Sequence, residues 1–301
     1  MLHKSDPSRL KSAAIFLPML LVTGIAQASP DVNYVLVGKS IDYLQTSAGS
    51  PVLNPKPVSA SYGGPYGFGV DILGSNLQSL PTPHVSGPFS AAMSASTFFN
   101  GGDLVYDTSS DAWRLGRPNA NDWGGTSLTQ LNDNFGDGVY TVSVGQTSVS
   151  LNLHGDLYPN IPFISLSGGH WANGEYVIAA NQALTITSNS FSDNADSVGV
   201  LSVGGLFQDI QLGSNTPGAN IISYTIAANT LQAGNLYNGN MSFLNLVDIA
   251  NIPNHSGVLA AAHYTSDTSF SILAVPEPAS TWQLFSGLLG IAAVARRKSA
   301  V

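Results

Sequence analysis

The sequence predicts an all-β protein made of one or two antiparallel β-sandwiches, and three observations carry this prediction. Short apolar or alternating runs recur along the chain, each bounded by Gly, Pro, Asn, Asp or Ser. No amphipathic pattern with a period of 3.6 residues persists for three turns between residues 31 and 273. Only 9% of the 301 residues are charged, while 31 Gly and 17 Pro supply the turns that many short strands need.

These runs define eleven predicted strand segments and one short helix. The helix covers residues 126–135, where Leu128, Leu131 and Phe135 share a face. The strand segments are 33–37, 66–73, 104–106, 139–144, 148–153, 176–180, 183–187, 198–203, 221–226, 241–246 and 270–273.

Two tyrosines indicate how the strands are grouped. Leu231, Gly234 and Tyr237 are spaced three residues apart just before a predicted strand. This spacing resembles the tyrosine corner of fibronectin type III and immunoglobulin-like sandwiches, where the Tyr hydroxyl bonds to the backbone as the chain crosses between sheets. Tyr140 begins another strand 97 residues earlier, about the length of one such domain. This spacing, together with the Pro content of the segment 155–162, predicts two modules at 29–157 and 158–274, which the resemblance implies to be immunoglobulin-like or jelly-roll-like. One larger sandwich is the alternative.

The charge and cysteine content exclude several classes of protein. Between residues 29 and 275 the chain has four Lys and Arg residues against sixteen Asp and Glu residues. A chain this acidic repels phosphate backbones, so nucleic acid is not an expected partner. Cysteine is absent, which excludes disulfides, thiolate metal sites and cysteine nucleophiles.

Residues 1–28 have the pattern of a signal peptide. A basic segment precedes the apolar run 13–25, and Ala26 and Ala28 form a small-x-small cleavage site. An uncleaved membrane anchor is the alternative, but an apolar run of this length is short for a span of about 20 residues. We therefore expect export by way of a cleaved signal peptide.

A segment of three parts closes the sequence. It consists of the motif Val275, Pro276, Glu277 and Pro278, an uncharged apolar stretch at 279–295, and the basic tail Arg296, Arg297 and Lys298. As a helix, the apolar stretch would rise about 26 Å, the short end of what can cross a bilayer. The positive-inside rule places the basic tail in the cytoplasm and the body of the protein outside.

The order of these three parts resembles the PEP-CTERM sorting signal of Gram-negative bacteria, over residues 275–301. The resemblance implies that a membrane-embedded exosortase recognises the tag, cleaves near the Pro-Glu-Pro and passes the protein onward. It implies a transient inner-membrane anchor and then the outer surface or the exterior, in strains that make exopolysaccharide and biofilms. An ordinary tail anchor is the alternative, but it gives no reason for the Val-Pro-Glu-Pro motif.

No catalytic residue is predicted. The chain lacks the P-loop, zinc-protease, nucleophile-elbow and dinucleotide-binding motifs. The leading hypothesis is therefore a non-enzymatic surface or matrix protein. A secreted hydrolase with catalytic groups dispersed over several strands is a further hypothesis.

No cofactor is predicted either, and calcium is the one ion for which the sequence offers candidate ligands. Asp103, Asp107 and Asp111 lie in one turn-rich stretch, and carboxylates from such loops suit hard cations. The stretch does not follow the calcium-loop motif, and turns whose Asp side chains bond their own backbone are the alternative.

One loop is a candidate contact for a glycan. Trp113 and Trp123 flank a polar segment that contains Arg114 and Arg117. Exposed Trp rings beside polar groups can stack on and hydrogen-bond a sugar, whereas tryptophans buried in the core are the alternative. A carbohydrate-binding module or adhesin that binds exopolysaccharide through this loop is thus the second hypothesis.

Overall fold

The computed structural model of the protein describes residues 31–55, 64–96, 99–116, 123–192, 195–216, 218–251 and 258–277. Within these ranges the chain is all-β, as predicted, with two short α-helices, α1 (Ala91–Ser94) and α2 (Leu128–Asn134). The strands are β1 (Asp31–Leu44), β2 (Val52–Leu53), β3 (Tyr66–Ser75), β4 (His84–Ser86), β5 (Val105–Asp107), β6 (Ala112–Arg114), β7 (Trp123–Gly125), β8 (Gly138–Val144), β9 (Thr147–Leu153), β10 (Ile164–Ser167), β11 (His170–Ala172), β12 (Glu175–Ala179), β13 (Leu184–Ser188), β14 (Ser197–Val203), β15 (Phe207–Leu212), β16 (Ser223–Ile226), β17 (Leu236–Asn251) and β18 (Leu259–Val275).

Twelve strands form one large sheet. Its main order is β15-β14-β17-β18-β1-β3-β6-β5, with β2 on β1, β7 on β3, β12 on β18 and β11 on β12. The longest strands, β17 and β18, have 16 and 17 residues and pair antiparallel along their length. At about 3.3 Å per residue they run the length of the molecule's core and join its two halves.

Strand β18 has a different neighbour in each half. Its first part pairs parallel with β1, from Tyr34 opposite Leu259 to Leu44 opposite Ser269. Its last four residues pair parallel with β12. Near each of its ends, β18 is therefore hydrogen-bonded along both edges, to β17 on one edge and to β1 or β12 on the other.

Two three-stranded sheets pack against the large sheet and enclose two cores. The β4-β8-β9 sheet covers the first core, where the rings of Phe68 and Phe135 stack with centroids 4.2 Å apart. The β10-β13-β16 sheet covers the second core, which contains Phe243 and Phe270. The alternation of β9, in which every second side chain from Val149 is buried, places one face of the strand on the first core. The arrangement is β-sandwich-like.

The segment between the two small sheets crosses the large sheet. The hydroxyl of Ser266 donates to the carbonyl of Pro159 at 2.9 Å, and that of Thr268 donates to Pro162 at 2.7 Å. The side chain of Gln45 exchanges two hydrogen bonds with the backbone of Ile164. Polar side chains within the buried sheet thus satisfy the backbone of the crossing chain.

The boundary between 29–157 and 158–274 falls in this crossing segment. Residues of β18 nevertheless contribute to both cores, since Ala260, Ala262 and Tyr264 belong to the first and Phe270 and Ile272 to the second. The division into two modules stays a prediction.

Each of the eleven predicted strand segments overlaps an observed strand. The helix predicted at 126–135 is confirmed as α2, and the Ser127 hydroxyl caps it by accepting a hydrogen bond from the Gln130 N–H at 3.1 Å. Seven strands were not predicted: β2, β4, β6, β7, β10, β11 and β15.

Both tyrosines that the sequence indicated bond to the backbone next to a crossing between sheets. The Tyr140 hydroxyl donates to the carbonyl of Gly136 at 2.6 Å, at the entry to β8. The Tyr237 hydroxyl accepts from the N–H of Gln232 at 2.9 Å, where the chain leaves β16 in the small sheet for β17 in the large one.

The ends of the chain lie outside the described residues. These include the predicted signal peptide 1–28 with Ala26 and Ala28, and the predicted apolar helix 279–295 with the basic tail. In the ranges that the structure does describe, no helix has the length and apolar character needed to span a membrane.

Candidate functional site

The structure buries one of the two tryptophans of the predicted glycan contact. Trp113 in β6 is only 8% exposed, and its indole N–H donates to the carbonyl of Leu77 at 2.8 Å. Its ring packs against Tyr106 with centroids 5.4 Å apart. The prediction that Trp113 offers an exposed face to a sugar is therefore wrong, and the alternative of a core tryptophan is correct. Its polar group is satisfied inside the protein.

Of the other residues of the predicted glycan contact, the structure describes the side chain of Arg114 alone. The Arg114 guanidinium is largely buried, with Nε 3.5 Å from a carboxylate oxygen of Asp71 and 3.8 Å from one of Asp107. Arg117 lies outside the described residues, as does the side chain of Trp123, whose backbone forms part of β7. Arg114 thus compensates the partly buried carboxylates of Asp71 and Asp107.

The three candidate calcium ligands serve separate local structures. Asp103 contacts the imidazole of His84 at 3.0 Å. Asp107 accepts hydrogen bonds from Ser109 and Ser110. Asp111 accepts from the Tyr106 hydroxyl at 2.7 Å and from the backbone N–H groups of residues 76 and 77. Across the described ranges, no group of three His, Asp or Glu side chains is arranged to hold a metal ion.

Hydrogen bonds explain the acidity of two of these carboxyls. Burial would raise the pKa of Asp107, but the hydrogen bonds from Ser109 and Ser110 and the charge of Arg114 outweigh it and lower the pKa. The hydrogen bond from Tyr106 lowers the pKa of Asp111. Both side chains are therefore ionised acceptors that stabilise the fold.

A cluster of polar side chains surrounds the buried amine of Lys39, and we call it the Lys39 cluster. It comprises Lys39, Asn132, Asp137, Asp156 and Tyr264. Strand alternation puts Lys39 on the same buried face of β1 as Val35 and Val37, and its side chain is fully buried. The other members come from α2, the turn before β8, the turn after β9, and β18.

The amine of Lys39 has three oxygen neighbours. Nζ lies 2.8 Å from Oδ1 of Asn132, 3.1 Å from Oδ1 of Asp137 and 3.6 Å from Oδ1 of Asp156. The ring of Tyr264 stands behind the amine, with its centroid 5.9 Å from Nζ. An ammonium group removed from water is strongly unfavourable unless carboxylates and hydrogen-bond acceptors surround it, as they do here.

A second set of bonds fixes these neighbours in place. The Asn132 amide donates from Nδ2 to Oδ2 of Asp156 at 2.6 Å. The N–H of Gly155 donates to Oδ2 of Asp137 at 2.8 Å, and the Tyr264 hydroxyl donates to the other oxygen of Asp137 at 3.3 Å. The same hydroxyl is bonded to the backbone of Asp156. The cluster therefore ties β1, α2, β18 and the turns that flank β8 and β9.

These contacts set the protonation of the surrounding groups. Burial would raise the pKa of Asp137, but the hydrogen bond from Gly155 and the bond and charge of Lys39 lower it overall. Burial raises the pKa of Tyr264, and the nearby Asp137 raises it further. Burial likewise raises the pKa of Tyr158, whose ring packs edge-on against Tyr264 at 4.9 Å. The tyrosines stay neutral and Asp137 stays ionised.

The sequence contains a signal for the Lys39 cluster that no functional motif includes. Lys39 stands two residues after Val37 and two before Ile41, in a run whose alternate residues are otherwise apolar. A lysine at a core-facing position of a strand needs buried partners. Its partners at 132, 137 and 156 are too distant in sequence to be predicted from spacing.

The opposite face of the sheet holds a histidine in a tight position. His263 in β18 pairs with Gly38 in β1, and its ring fills the space that a side chain at Gly38 would need. Nδ1 lies 3.0 Å from the hydroxyl of Thr265. Burial lowers the pKa of His263 to about 4, so the ring is neutral at physiological pH.

The sorting motif begins where the large sheet ends. Val275 is the last residue of β18, and its carbonyl accepts from the N–H of Ala180 at 2.9 Å. Pro276 and Glu277 follow directly and are exposed. Pro278 and the basic tail lie outside the described residues.

Comparison with known proteins identifies no family for this chain. No protein-family model matches it, and no curated protein matches it. One solved structure with some similarity is described as the Bacteroides ovatus mixed-linkage glucan utilization locus (MLGUL) SGBP-B in complex with mixed-linkage heptasaccharide. The identity is 15% and the TM-score 0.15, over 73% of this chain and 48% of that chain. The chain thus spans about half of that protein's length, and a similarity this low supports no inference.

Proposed function

We propose that the protein is an exported, non-enzymatic component of the cell surface or extracellular matrix that is delivered through a C-terminal PEP-CTERM tag. In this proposal a signal peptide at 1–28 directs export, and the helix at 279–295 anchors the protein transiently in the inner membrane. An exosortase then processes the tag. The mature protein reaches the outer surface or the exterior.

The exposure of the Pro-Glu pair at the end of β18 is the observation that carries this proposal. A processing enzyme needs an extended, accessible segment, and Pro276 cannot continue the strand's hydrogen bonding because it lacks an N–H. Glu277 is exposed beside it. Cleavage there would leave β18, and thus both cores, intact.

The non-enzymatic part of the proposal is supported by how the polar groups are used. The carboxylates of Asp107 and Asp111 accept bonds from neighbouring Ser and Tyr hydroxyls, and those of the Lys39 cluster hold one buried amine. Such bonds stabilise the fold. We further propose that the two halves are immunoglobulin-like or jelly-roll-like modules, which the backbone bonds of Tyr140 and Tyr237 support.

We propose exopolysaccharide as the partner of the mature protein, because the tag resembles the PEP-CTERM signal of strains that make exopolysaccharide. With Trp113 buried, a sugar contact in the predicted loop would rest on Arg117 and Trp123. Affinity electrophoresis of the protein in acidic and neutral polysaccharides measures this partner directly. Unchanged mobility in every polymer would remove it, together with the adhesin alternative, and would leave the sorting proposal untouched.

Processing of the tag is tested by intact mass in cells that carry the sorting enzyme. We expect the wild-type protein to lose residues 276–301, and Glu277→Gln to remain uncut. Glu175→Gln is the matched control, because Glu175 is the other Glu of the chain and lies in β12, away from the motif. An uncut wild-type C-terminus, or equal cutting of Glu277→Gln, contradicts the proposal.

A further inference from the structure

Three groups with complementary reactivity meet at the buried end of the Lys39 side chain. They are an amine, the carboxamide of Asn132 and the carboxyl group of Asp156. The amine lies 2.8 Å from the amide oxygen of Asn132, and Cγ of that amide is bonded directly to this oxygen. The Asp156 carboxyl group spans both partners, since Oδ2 accepts from Nδ2 of Asn132 at 2.6 Å and Oδ1 lies 3.6 Å from the Lys39 amine.

We propose that Lys39 and Asn132 form an intramolecular isopeptide bond, with Asp156 as the residue that transfers the protons. The bond would link β1 to α2 across 93 residues of sequence.

The reaction is balanced by the groups present. Asp156 takes a proton from the Lys39 ammonium, and the free amine attacks Cγ of Asn132, moving the carbonyl electron pair to Oδ1. Asp156 returns the proton to Nδ2, and the Cγ–Nδ2 bond breaks as the carbonyl reforms. The new amide nitrogen gives its extra proton to the departing ammonia, so one ammonium ion leaves, and Asp156, which has already returned its proton to Nδ2, ends as a carboxylate. No oxidant, cofactor or nucleotide is required.

The geometry favours the side chain of Asn132 over that of Asp137 as the group that the amine attacks. Asp137 is also close to the amine, at 3.1 Å, but it is held as an anion by Gly155 and Lys39, and a carboxylate anion resists attack by an amine. The Asn132 amide is neutral and has a leaving group that Asp156 can protonate. Asp137 instead keeps the amine in position, together with the Tyr264 hydroxyl.

The surroundings of the Lys39 amine hold it against the amide and also let the leaving group reach solvent. The Lys39 side chain is fully buried, so the amine meets the amide in one fixed arrangement, which is the condition for high effective concentration. The side chains of Asp137 and Asp156 are 46% and 36% exposed, which leaves a path by which the ammonium ion reaches solvent. In an exported chain without cysteine, the bond would do what a disulfide does elsewhere.

Mass spectrometry of the full-length protein tests the proposal. After denaturation, we expect the wild-type mass to fall short of the mass calculated for its observed termini by one molecule of ammonia. Trypsin should fail to cut after Lys39, and digestion with a second protease should give a branched peptide that contains residues 39 and 132.

Variants separate the bond from other sources of ammonia loss, such as a succinimide at an Asn-Gly pair. Lys39→Arg keeps the positive charge and should show the full mass, and Asp156→Asn should leave most chains unlinked. Asn134→Asp is the matched control on the same helix, because the Asn134 side chain accepts from the Ser90 hydroxyl and does not belong to the Lys39 cluster, and this variant should remain cross-linked. A folded wild-type chain with the full mass and trypsin cleavage after Lys39 overturns the proposal, as does ammonia loss that persists in Lys39→Arg. Full cross-linking in Asp156→Asn overturns the role assigned to Asp156.

Discussion

Protonation of His263 should destabilise the protein between pH 6.5 and 4. An imidazole in the unfolded chain has a pKa of 6.5, whereas burial against Gly38 lowers the pKa of His263 in the folded chain to about 4. As the pH falls through 6.5, the unfolded chain binds a proton that the folded chain excludes. The stability from the neutral ring is therefore complete above pH 6.5, declines down to about pH 4 and is lost below it.

The size of this effect follows from the pKa difference. Each unit corresponds to about 1.4 kcal/mol, which sets an upper limit of about 3 kcal/mol. His263 keeps some contact with solvent, so the expected loss in free energy of unfolding is about 1–3 kcal/mol. The carboxyls with lowered pKa, Asp107, Asp111 and Asp137, lose their stabilising contribution at lower pH, below their unfolded-state pKa of 3.8.

Denaturant unfolding at a series of pH values measures the effect. The wild-type free energy of unfolding should decline across this interval, and His263→Gln, which cannot titrate there, should decline much less. His154→Gln is the control because His154 is exposed and should follow the wild type. An equally steep decline in His263→Gln, or a flat wild-type profile, would refute the reasoning.

Two further predictions concern the cores. Tyr140→Phe removes the donor to the Gly136 carbonyl and should lower the free energy of unfolding by about 1–2 kcal/mol. Tyr237→Phe should lower it by less, because the hydrogen bond of the Tyr237 hydroxyl is exposed to solvent. Equal losses of stability for the two variants in thermal unfolding would contradict this. Gly239→Ala places a methyl group into the buried Phe270 ring and should cost about 1–3 kcal/mol. Gly49→Ala, which meets only the Ser47 hydroxyl, should be nearly neutral, and a loss as large as that of Gly239→Ala would exclude the ring overlap as the cause.

Local sequence patterns predicted the strands that alternate clearly but not their full extent. The segment 270–273 was predicted, yet β18 begins at Leu259. Its earlier part contains three alanines and the run from Thr265 to Ser269, which is typical of a turn. These polar residues stay in the strand because tertiary contacts satisfy them, as the bonds of Ser266 and Thr268 to the crossing segment show.

The same limit applies to side chains. The sequence left two interpretations of Trp113 open, an exposed glycan contact and a core tryptophan, because the short segment around it has too little periodicity to decide between them. The carbonyl of Leu77, which accepts its indole N–H, lies 36 residues away in sequence. The partners of Lys39 are more distant still. Sequence patterns reveal that a buried lysine needs neighbours, whereas the topology decides which residues they are.

The parallel pairing of β1 with β18 determines how the protein would bear tension. The described chain enters at the start of β1 and leaves at the end of β18, which are opposite ends of this pairing. A pull between the two ends of the described chain therefore acts along the strands. It loads the whole β1–β18 interface in shear, so its hydrogen bonds must break together rather than one after another. Resistance to such a pull is governed by the barrier to unfolding.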